Sequence, residues 1–261
     1  MQCDSCGILF SDPIMDDAGV TKLYEGSSET NVTPGEEDNV KRTMAGYYRL
    51  AAPFVAGRQR ILDVGCDIGL LLQAAKEDGF QELHGIEPVP NARAQSERIA
   101  GTQITDVFFE NSGYPADYFD LISFIHVVDH LYNPRVALKK AFDNLKPGGV
   151  TIAVVHNVKS TLFYVLRERF PIFNLYHHYF FEKKTLAQLF AAEGYEVIGV
   201  YPTRNCYSLG FFASRLPGVP APVRRLLAAT LAKLGIGKIP VTIPVGNIAI
   251  VARRPAAQSP S

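Results

Sequence analysis

Residues 61–69, with the sequence ILDVGCDIG, constrain the fold more than any other part of the chain. An apolar run leads into Asp63, glycines follow as Gly65 and Gly69, and an apolar-periodic stretch begins at Leu70. This order predicts a strand, a glycine-rich loop and a helix. Such a loop lets backbone amides approach a ligand closely, so we expect a small-molecule site at this point of the chain.

A second acid, Glu87, ends the next apolar segment, residues 83–86. Two acids at the ends of neighbouring parallel strands suit a ligand rich in hydroxyl and ammonium donors, because carboxylates accept hydrogen bonds. A dinucleotide suits the loop less well. The loop lacks the G-x-G-x-x-G spacing of dinucleotide-binding loops, and Asp67 stands where that fingerprint has its second glycine.

Segments of strand length alternate with helix-periodic segments over much of the chain. This alternation predicts an α/β fold: a Rossmann-like, mostly parallel sheet with helices on both faces. The predicted strands are 60–65, 83–87, 103–109, 119–125, 150–156, 195–200 and 246–252. The predicted helices are 39–55, 70–78, 90–100, 134–145, 183–193 and 222–234.

The composition argues against several classes of protein. Lys+Arg and Asp+Glu both number 26, so the formal charge is zero and a generalised nucleic-acid surface is not expected. No apolar stretch approaches the roughly 20 residues that span a bilayer, and the first residues lack the features of a signal peptide. We therefore expect a cytoplasmic protein with no nucleic-acid partner and no stable membrane insertion.

The segment LDVGCDIG (62–69) resembles the first motif of the class I S-adenosylmethionine-dependent methyltransferases, which usually has a further glycine where Asp67 stands. The resemblance extends over most of residues 60–200. It implies a seven-stranded sheet whose last strand is antiparallel, and S-adenosyl-L-methionine as the cofactor. The other segments that carry it are GIEP (85–88), YFDLISFIHVVDHLYNP (118–134), LKPGGVTIAVVHN (145–157) and HHYFFEKKTLAQLFAAEGYEVI (177–198).

The resemblance implies cofactor contacts at the matching positions. Asp63 and the backbone around Gly65 would hold the methionine end, and Glu87 would accept hydrogen bonds from both ribose hydroxyls. Asp67 would have to point away from the cofactor, and capping the following helix is one way to do so. Glu110 and Asn111 would lie beside the adenine. The predicted cofactor-binding residues are Asp63, Gly65, Cys66, Asp67, Gly69, Glu87, Pro88, Glu110, Asn111, Phe124 and Ile125.

Transfer of a methyl group from a sulfonium requires in-line positioning and removal of a proton from an oxygen or nitrogen acceptor. A general base that works near neutral pH points to histidine. The predicted catalytic residues are His126, which would lie under the sulfonium, and His177 or His178. For each of them taken singly, a histidine that only packs or is exposed is at least as good an interpretation.

Two patterns resemble metal sites, although no metal is predicted. His126, Asp129 and His130 form an H-x-x-D-H cluster, and some quinone-type O-methyltransferases bind a divalent ion from a similar stretch. Packing and helix capping are the favoured interpretation of this cluster. Cys3 and Cys6 resemble the second half of a zinc knuckle, but they supply two ligands where structural zinc takes four. The favoured interpretation is a solvated tail with reduced thiols.

Residues 158–181 are too rich in aromatic side chains for an exposed loop. In the superfamily that the chain resembles, insertions at this place commonly form a lid, so we expect an apolar or sugar-stacking wall over the acceptor. A lid that only packs on the core is the open alternative. The expected organisation is an N-terminal extension and helix (1–56), a methyltransferase domain (57–254) and a disordered tail (255–261).

The leading hypothesis is a methyltransferase that acts on a small or medium acceptor. Methylation of an oxygen atom in a sugar-containing or aromatic metabolite is the favoured reaction. The alternatives are a non-catalytic S-adenosylmethionine-binding partner protein and a nicotinamide-dependent oxidoreductase. A helical leucine stripe within residues 226–234 favours a core or homodimer contact. The adjacent Arg224 and Arg225 leave a weaker membrane-surface interpretation open.

Overall fold

The computed structural model describes residues 1–14, 19, 32–99, 101–166, 177–216 and 218–256. We number its elements in chain order. The strands are β1 Leu9–Phe10, β2 Arg60–Val64, β3 Glu82–Ile86, β4 Thr102–Thr105, β5 Phe119–Ile125, β6 Leu145–His156, β7 Tyr179–Phe180, β8 Glu196–Pro202, β9 Asn205–Ser208, β10 Pro240–Ile243 and β11 Asn247–Arg253. The helices are α1 Glu37–Ala51, α2 Leu70–Glu77, α3 Pro90–Ser96, α4 Pro134–Asn144, α5 Thr161–Leu166, α6 Lys183–Ala192, α7 Leu209–Ser214 and α8 Ala221–Lys233.

A seven-stranded sheet with the order β4-β3-β2-β5-β6-β11-β8 forms the centre of the described structure. Neighbouring strands from β4 to β6 pair in parallel, and β11 pairs antiparallel with both β6 and β8. The prediction of a mostly parallel sheet with an antiparallel last strand is therefore confirmed. The central strand β5 is buried at every position, as expected of a parallel strand that is covered on both faces.

Helices cover the sheet on both faces because successive strand residues point to opposite sides. On one face, Ile61 and its neighbours pack against α1 and α2. On the other face, Leu62 and its neighbours pack against α4 and α6. The apolar sides of these four helices are thereby buried, and the polar groups at the strand ends can build a site along one edge of the sheet.

Three short elements near the C-terminus are absent from the sequence prediction. These are β9, α7 and β10, of which β9 and β10 pair antiparallel in a small second sheet. Each has only four to six residues, which is too short for hydrophobic periodicity to distinguish a strand from a helix. Several predicted boundaries also differ, since α1 ends at Ala51, α3 ends at Ser96, β4 ends at Thr105 and β6 begins at Leu145.

The N-terminal residues do not form the solvated tail that the sequence suggested. The backbone turns tightly between Cys3 and Ile8, where the N–H of Cys3 donates to the carbonyl of Ile8 (2.9 Å). Strand β1 then pairs antiparallel with β7. The expected reduced thiols agree with the structure in that Cys3 and Cys6 are not joined by a disulfide.

Buried hydrogen bonds attach α1 to β9. The carboxylate of Glu36, which precedes α1, accepts from the backbone N–H (2.9 Å) and the hydroxyl (2.5 Å) of Ser208. The Thr43 hydroxyl accepts from the backbone N–H of Cys206 (2.8 Å), and the Tyr47 hydroxyl donates to Asn205 (2.6 Å). These contacts fix the position of β9 beside the sheet edge where the cavity described below lies.

We expect Thr43→Val to lower the free energy of unfolding by about 1–3 kcal/mol, because the buried backbone N–H of Cys206 loses its acceptor while the side-chain shape is kept. Thr230→Val is the matched control, since the exposed Thr230 hydroxyl only donates to a carbonyl one helical turn earlier. Its effect should stay within about 0.5 kcal/mol. Urea denaturation measures both changes, and equal effects would show that the Thr43 contact does not stabilise the fold.

Candidate functional site

A cavity of about 710 Å³ lies at the carboxyl ends of β2, β3, β5 and β6. Ligands of open α/β sheets bind at this edge, and the volume falls within the range of small-molecule sites. The lining residues come mainly from three regions. They include the loop after β2 with Glu87, the ends of β5 and β6, and the β9–α7 segment that the sequence did not predict; α1, α5 and His177 also contribute.

The loop after β2 is tied to the end of β3 by backbone donors. The N–H groups of Gly65 and Cys66 both donate to the carbonyl of Ile86 (2.8 and 3.0 Å). The Glu87 carboxylate accepts from the N–H of Asp67 at one oxygen and from the N–H of Val89 at the other, each at 2.8 Å. Glu87 is almost fully buried, and burial raises its pKa above the ordinary value.

Asp67 takes the backbone conformation that a glycine would take at this place. Its φ is +46°, in the left-handed region that aspartate tolerates better than most side chains. Asp67 is not the N-cap residue of α2, because Gly69 occupies that position; capping of α2 by the Asp67 side chain stays a prediction. The Asp67 residue lines the cavity, and its backbone N–H is committed to Glu87.

A glycine is required at position 65 by both the backbone conformation and the lack of space for a Cβ atom. Its φ is +71°, and a Cβ at this position would lie 2.6 Å from Cγ2 of Val127. The loop after β2 and the loop after β5 therefore approach each other more closely than any larger residue at position 65 would allow. This approach brings the Asp63 end of the cavity next to the end of β5.

Asp63 is a buried carboxyl group at the end of β2. It is 2% exposed, and the hydroxyl of Ser123 donates to its Oδ1 (2.7 Å). Burial raises the pKa of Asp63 to about 7. No basic side chain is among the groups that shift the pKa of Asp63. A positively charged group of a ligand beside Asp63 would lower this pKa and favour the ionised form.

Four of the six histidines of the chain surround one buried carboxylate, Asp129. Nδ1 of His156 lies 3.3 Å from Asp129 Oδ2, and Nε2 of His177 lies 3.8 Å from the same oxygen. Nε2 of His130 lies 3.8 Å from Oδ1. The His126 ring is 4.7 Å from the His156 ring. We call these five residues the histidine–aspartate cluster, and its four histidines all line the cavity.

The cluster combines an ionised carboxylate with three imidazoles that burial keeps neutral, those of His126, His130 and His177. Burial lowers the pKa of His126 to about 3 and that of His177 to about 4, and it also lowers the pKa of His130. For Asp129, burial alone would raise the pKa, but the hydrogen bond with His156 and the neighbouring imidazoles lower it below the ordinary value. Neutral imidazoles keep a lone pair, so they can accept a proton or bind a metal.

Backbone geometry also sets this part of the site apart. In the part of the chain that the structure describes, three non-glycine residues have a positive φ, and two of them, Asp67 and His126, line the cavity. Such conformations cost free energy and are concentrated in functional sites. Nε2 of His126 lies 3.4 Å from the side-chain nitrogen of Asn247.

Two groups within the cluster could hold a divalent metal ion. The first is His126, Asp129 and His156, and the second is Asp129, His130 and His177; within each group the ligand atoms lie within 4.8 Å of one another. Two ligands at zinc-nitrogen distances in a tetrahedral site are about 3.4 Å apart, so the observed spacings are compatible with such an ion. The prediction that no metal is bound stays a prediction.

The structure places nine of the predicted site residues in the cavity wall and five outside it. Phe124 is fully buried in the core, and Nδ1 of His178 lies 3.3 Å from the carbonyl of Leu131. Glu110 and Asn111 form a 3₁₀ turn away from the cavity wall. Gly69 is also absent from the wall. The residues in the wall are Asp63, Gly65, Cys66, Asp67, Glu87, Pro88, Ile125, His126 and His177; their roles stay predictions.

His156 and the β9–α7 segment are the parts of the site that the sequence reasoning missed. His156 ends a correctly predicted strand, and the rule that sites form at the carboxyl ends of parallel strands could have identified it. No comparable signal marks the wall residues Asn205, Tyr207, Phe211 and Phe212.

The segment 158–181 contributes to the cavity at both of its described ends. Leu162 of α5 and His177 line the cavity, whereas Phe181 is fully buried in the core. Three aromatic residues of this segment, Phe170, Phe173 and Tyr176, lie outside the described residues. The lid therefore stays a prediction.

Comparison with known proteins gives a family match over most of the described sheet. The family model described as a methyltransferase domain matches residues 37–200. The ubiquinone biosynthesis O-methyltransferase of Psychrobacter cryohalolentis is 29% identical over 149 residues, which cover 50% of this chain and 57% of that protein. The Bradyrhizobium diazoefficiens protein of the same name is 28% identical over 105 residues, covering 39% of this chain and 41% of that protein.

Solved structures share the fold at low sequence identity. A chain from a Haloferax volcanii complex with the Trm112 methyltransferase activator has a TM-score of 0.61 and 16% identity, covering 85% of this chain and 92% of that chain. The [4+2]-cyclase SpnF also has a TM-score of 0.61 and 16% identity, covering 96% of this chain and 99% of that chain. The match thus spans 57% and 41% of the length of these two curated relatives, but 92% and 99% of the two solved chains.

Asp63→Asn should change how stability depends on pH. Between about pH 4 and pH 7 the folded protein keeps a proton on Asp63 that the unfolded chain has lost, so the free energy of unfolding falls as the pH rises through this window. The variant removes this contribution, which is at most about 1.4 kcal/mol per pH unit. The free energy of unfolding of the variant should therefore fall less as the pH rises, as measured by urea denaturation from pH 4 to pH 8.

The exposed Asp38, changed to Asn, controls for the loss of one carboxyl group. Curves of Asp63→Asn and the parent protein that run parallel over the whole range would contradict the raised pKa.

Proposed function

The chain belongs to the methyltransferase-domain family, and from that premise we propose that it transfers a methyl group to a hydroxyl group of a small aromatic or sugar-containing acceptor. Family membership confirms the predicted resemblance, the class of enzyme and the cofactor, S-adenosylmethionine. One observation carries the proposal: a single cavity joins the acid-lined loop after β2 to the histidine–aspartate cluster.

The loop end of the cavity suits the cofactor. When bound, S-adenosylmethionine supplies an electrophilic methyl group on a positively charged sulfur. The carboxyl of Asp63 can hold the ammonium group, and backbone atoms around Gly65 can approach the methionine end closely. Each carboxylate oxygen of Glu87 has one backbone donor, so lone pairs remain for the two ribose hydroxyls. The residues present therefore fit this cofactor.

The other end of the cavity suits removal of the acceptor proton. We assign the general base to His156, whose Nδ1 faces the ionised Asp129 while the ring lines the cavity. A carboxylate that orients an imidazole and stabilises its protonated form is a recurring arrangement in acid–base catalysis. His126 and His177 remain candidates from the sequence, but burial lowers their pKa values to about 3 and 4, which weakens them as bases.

The walls between these ends support an acceptor with an apolar part. Val40, Met44, Leu162, Phe211 and Phe212 line the cavity, so an aromatic ring or an apolar chain would replace water there favourably. The O-methyltransferase names of the curated relatives support oxygen as the methylated atom. The apolar walls favour an aromatic acceptor over a sugar. A non-catalytic cofactor-binding protein is the alternative that the experiments below address.

Glu87→Gln should weaken binding of S-adenosylhomocysteine by about 1.5–3 kcal/mol, because an amide has one acceptor oxygen where the carboxylate has two. Glu82→Gln is the matched control, since Glu82 stands at the opposite end of the same strand, outside the cavity. Isothermal titration calorimetry measures both affinities, and thermal melting verifies folding. Equal affinities of the two variants would show that Glu87 does not bind the cofactor.

Asp129→Asn and His156→Gln should each lower kcat by about 10²–10⁴-fold on a catechol or another accepted phenol, with little change in S-adenosylhomocysteine affinity. His178→Gln is the comparison variant, because His178 lies outside the cavity wall. The measurement is methyl transfer to a panel of phenols and sugars, in buffer with and without a chelator.

Three outcomes of this panel would count against the assignment. Full activity of both cluster variants would show that His156 is not the general base. Loss of activity in His178→Gln would show that His178 takes part in the reaction. Loss of activity with the chelator, restored by zinc or manganese, would assign the cluster to metal binding instead. Cofactor binding without transfer to any acceptor would support the non-catalytic alternative.

A further inference from the structure

Helix α8 has no buried residue along its 13 positions, although its sequence is largely apolar. In the described part of the chain, ten large apolar side chains are exposed, and five of them lie between positions 223 and 239. An apolar helix that the fold does not cover requires another surface to cover it. These five side chains are Val223, Leu226, Leu227, Leu234 and Ile239.

The apolar side chains of α8 form one stripe with basic groups along its borders. Val223, Leu227 and Leu234 follow one another at helical spacing, and Leu226 lies beside them. At 100° per residue, Arg224 falls on one side of this stripe and Lys233 on the other. Long basic side chains in such positions can extend from an apolar contact towards charged groups above it.

The charge of the chain is strongly segregated. All 26 acidic residues precede position 197, whereas eight lysines and arginines follow it. Five of these basic residues belong to the region around α8, and none of the five forms an ion pair in the described structure. They are Arg215, Arg224, Arg225, Lys233 and Lys238. The zero net charge of the whole chain therefore conceals a basic, apolar surface.

This surface adjoins the cavity. Helix α7 contributes Phe211 and Phe212 to the cavity wall, and Arg215, which follows α7, is both exposed and part of the wall. A residue with both properties lies where the cavity opens to solvent. The segment after α8 is bonded to the start of α7, because the N–H groups of Leu209 and Gly210 donate to the carbonyls of Ile239 and Gly237.

We propose that α8 and its flanking residues dock on the surface of a bilayer that contains anionic lipids. The apolar stripe would enter the headgroup region, and the basic residues would meet the lipid phosphates. In the described part of the chain, no helix is long and apolar enough to cross a membrane, so the contact is peripheral. A symmetric contact with a second copy is disfavoured, because the same unpaired basic residues would face one another across it.

The position of the cavity opening adds a consequence that rests on the proposed methyl transfer. A docked α8 places Arg215, Phe211 and Phe212 at the bilayer surface. The apolar part of an acceptor could then pass from the lipid phase into the cavity without crossing water. We therefore infer that the acceptor class includes hydroxyl compounds that reside in a membrane.

Vesicle co-sedimentation tests the docking. The full-length chain should bind phosphatidylcholine vesicles containing phosphatidylglycerol at least about tenfold more tightly than phosphatidylcholine vesicles, and salt should weaken the binding. Two triple variants should each lose at least about tenfold: Leu226→Ser/Leu227→Ser/Leu234→Ser, and Arg224→Gln/Arg225→Gln/Lys233→Gln. Matched controls remove exposed groups elsewhere: Tyr132→Ser/Val136→Ser, and Lys183→Gln/Lys184→Gln.

Equal binding by parent and α8 variants would overturn the docking proposal. A concentration-dependent dimer in light scattering, abolished by the serine variant in the absence of lipid, would assign the surface to a second copy. Binding of single-stranded RNA but not of vesicles would assign it to nucleic acid. Thermal melting verifies that the variants fold, which is expected because every changed side chain is outside the core.

A separate measurement addresses the acceptor. With an alkylated catechol in anionic vesicles, the serine variant should lose transfer that it retains with catechol in solution. Equal loss on both substrates would contradict delivery from the bilayer. The acceptor measurement rests on the proposed methyl transfer, whereas the docking result does not: failure of S-adenosylhomocysteine binding in calorimetry would refute that function and leave vesicle docking intact.

Discussion

The site depends on one interaction: the carboxylate of Glu87 accepts hydrogen bonds from two backbone N–H groups, those of Asp67 and Val89. It ties the loop after β2 to the loop after β3 and holds Asp67 in a left-handed conformation. It also affects the electrostatics of the site, since burial raises the pKa of both Asp63 and Glu87, and the charge of Glu87 raises the pKa of Asp63 further. The backbone donors compensate the charge of Glu87, while Asp63 keeps its proton to a higher pH. A cationic ligand would remove the remaining cost.

The sheet could be predicted from the sequence because its order follows from local patterns. Strand β5 is mostly apolar and is buried at every position, and the glycines after β2 mark a turn that few other residues can make. Asp63 and Glu87 could be placed in the site for the same reason, since Asp63 lies near the end of β2 and Glu87 directly follows β3. The left-handed backbone of Asp67 could not be predicted in this way, because aspartate tolerates this conformation but composition does not reveal where it is adopted.

The rest of the site could not be predicted, because it depends on contacts between distant parts of the chain. Strand β9 is held by α1, about 160 positions earlier in the sequence, through Thr43 and Tyr47. The histidine–aspartate cluster likewise gathers residues from three separate segments around Asp129. The charge distribution, in contrast, can be read from the sequence: the net charge is zero, but all acidic residues precede position 197.

The two ends of the cavity are constructed differently, and this difference explains why the cofactor is easier to identify than the acceptor. At the loop end, the geometry is set mainly by backbone groups and by Gly65, whose replacement would bring a Cβ to 2.6 Å from Val127. Such a surface tolerates little variation and suits one ligand. At the other end, side chains from α5, α7 and β9 form the wall, and side chains can change without changing the sheet. The acceptor is therefore selected by elements that the fold does not constrain, and α8 joins one of these elements to the outer surface of the protein.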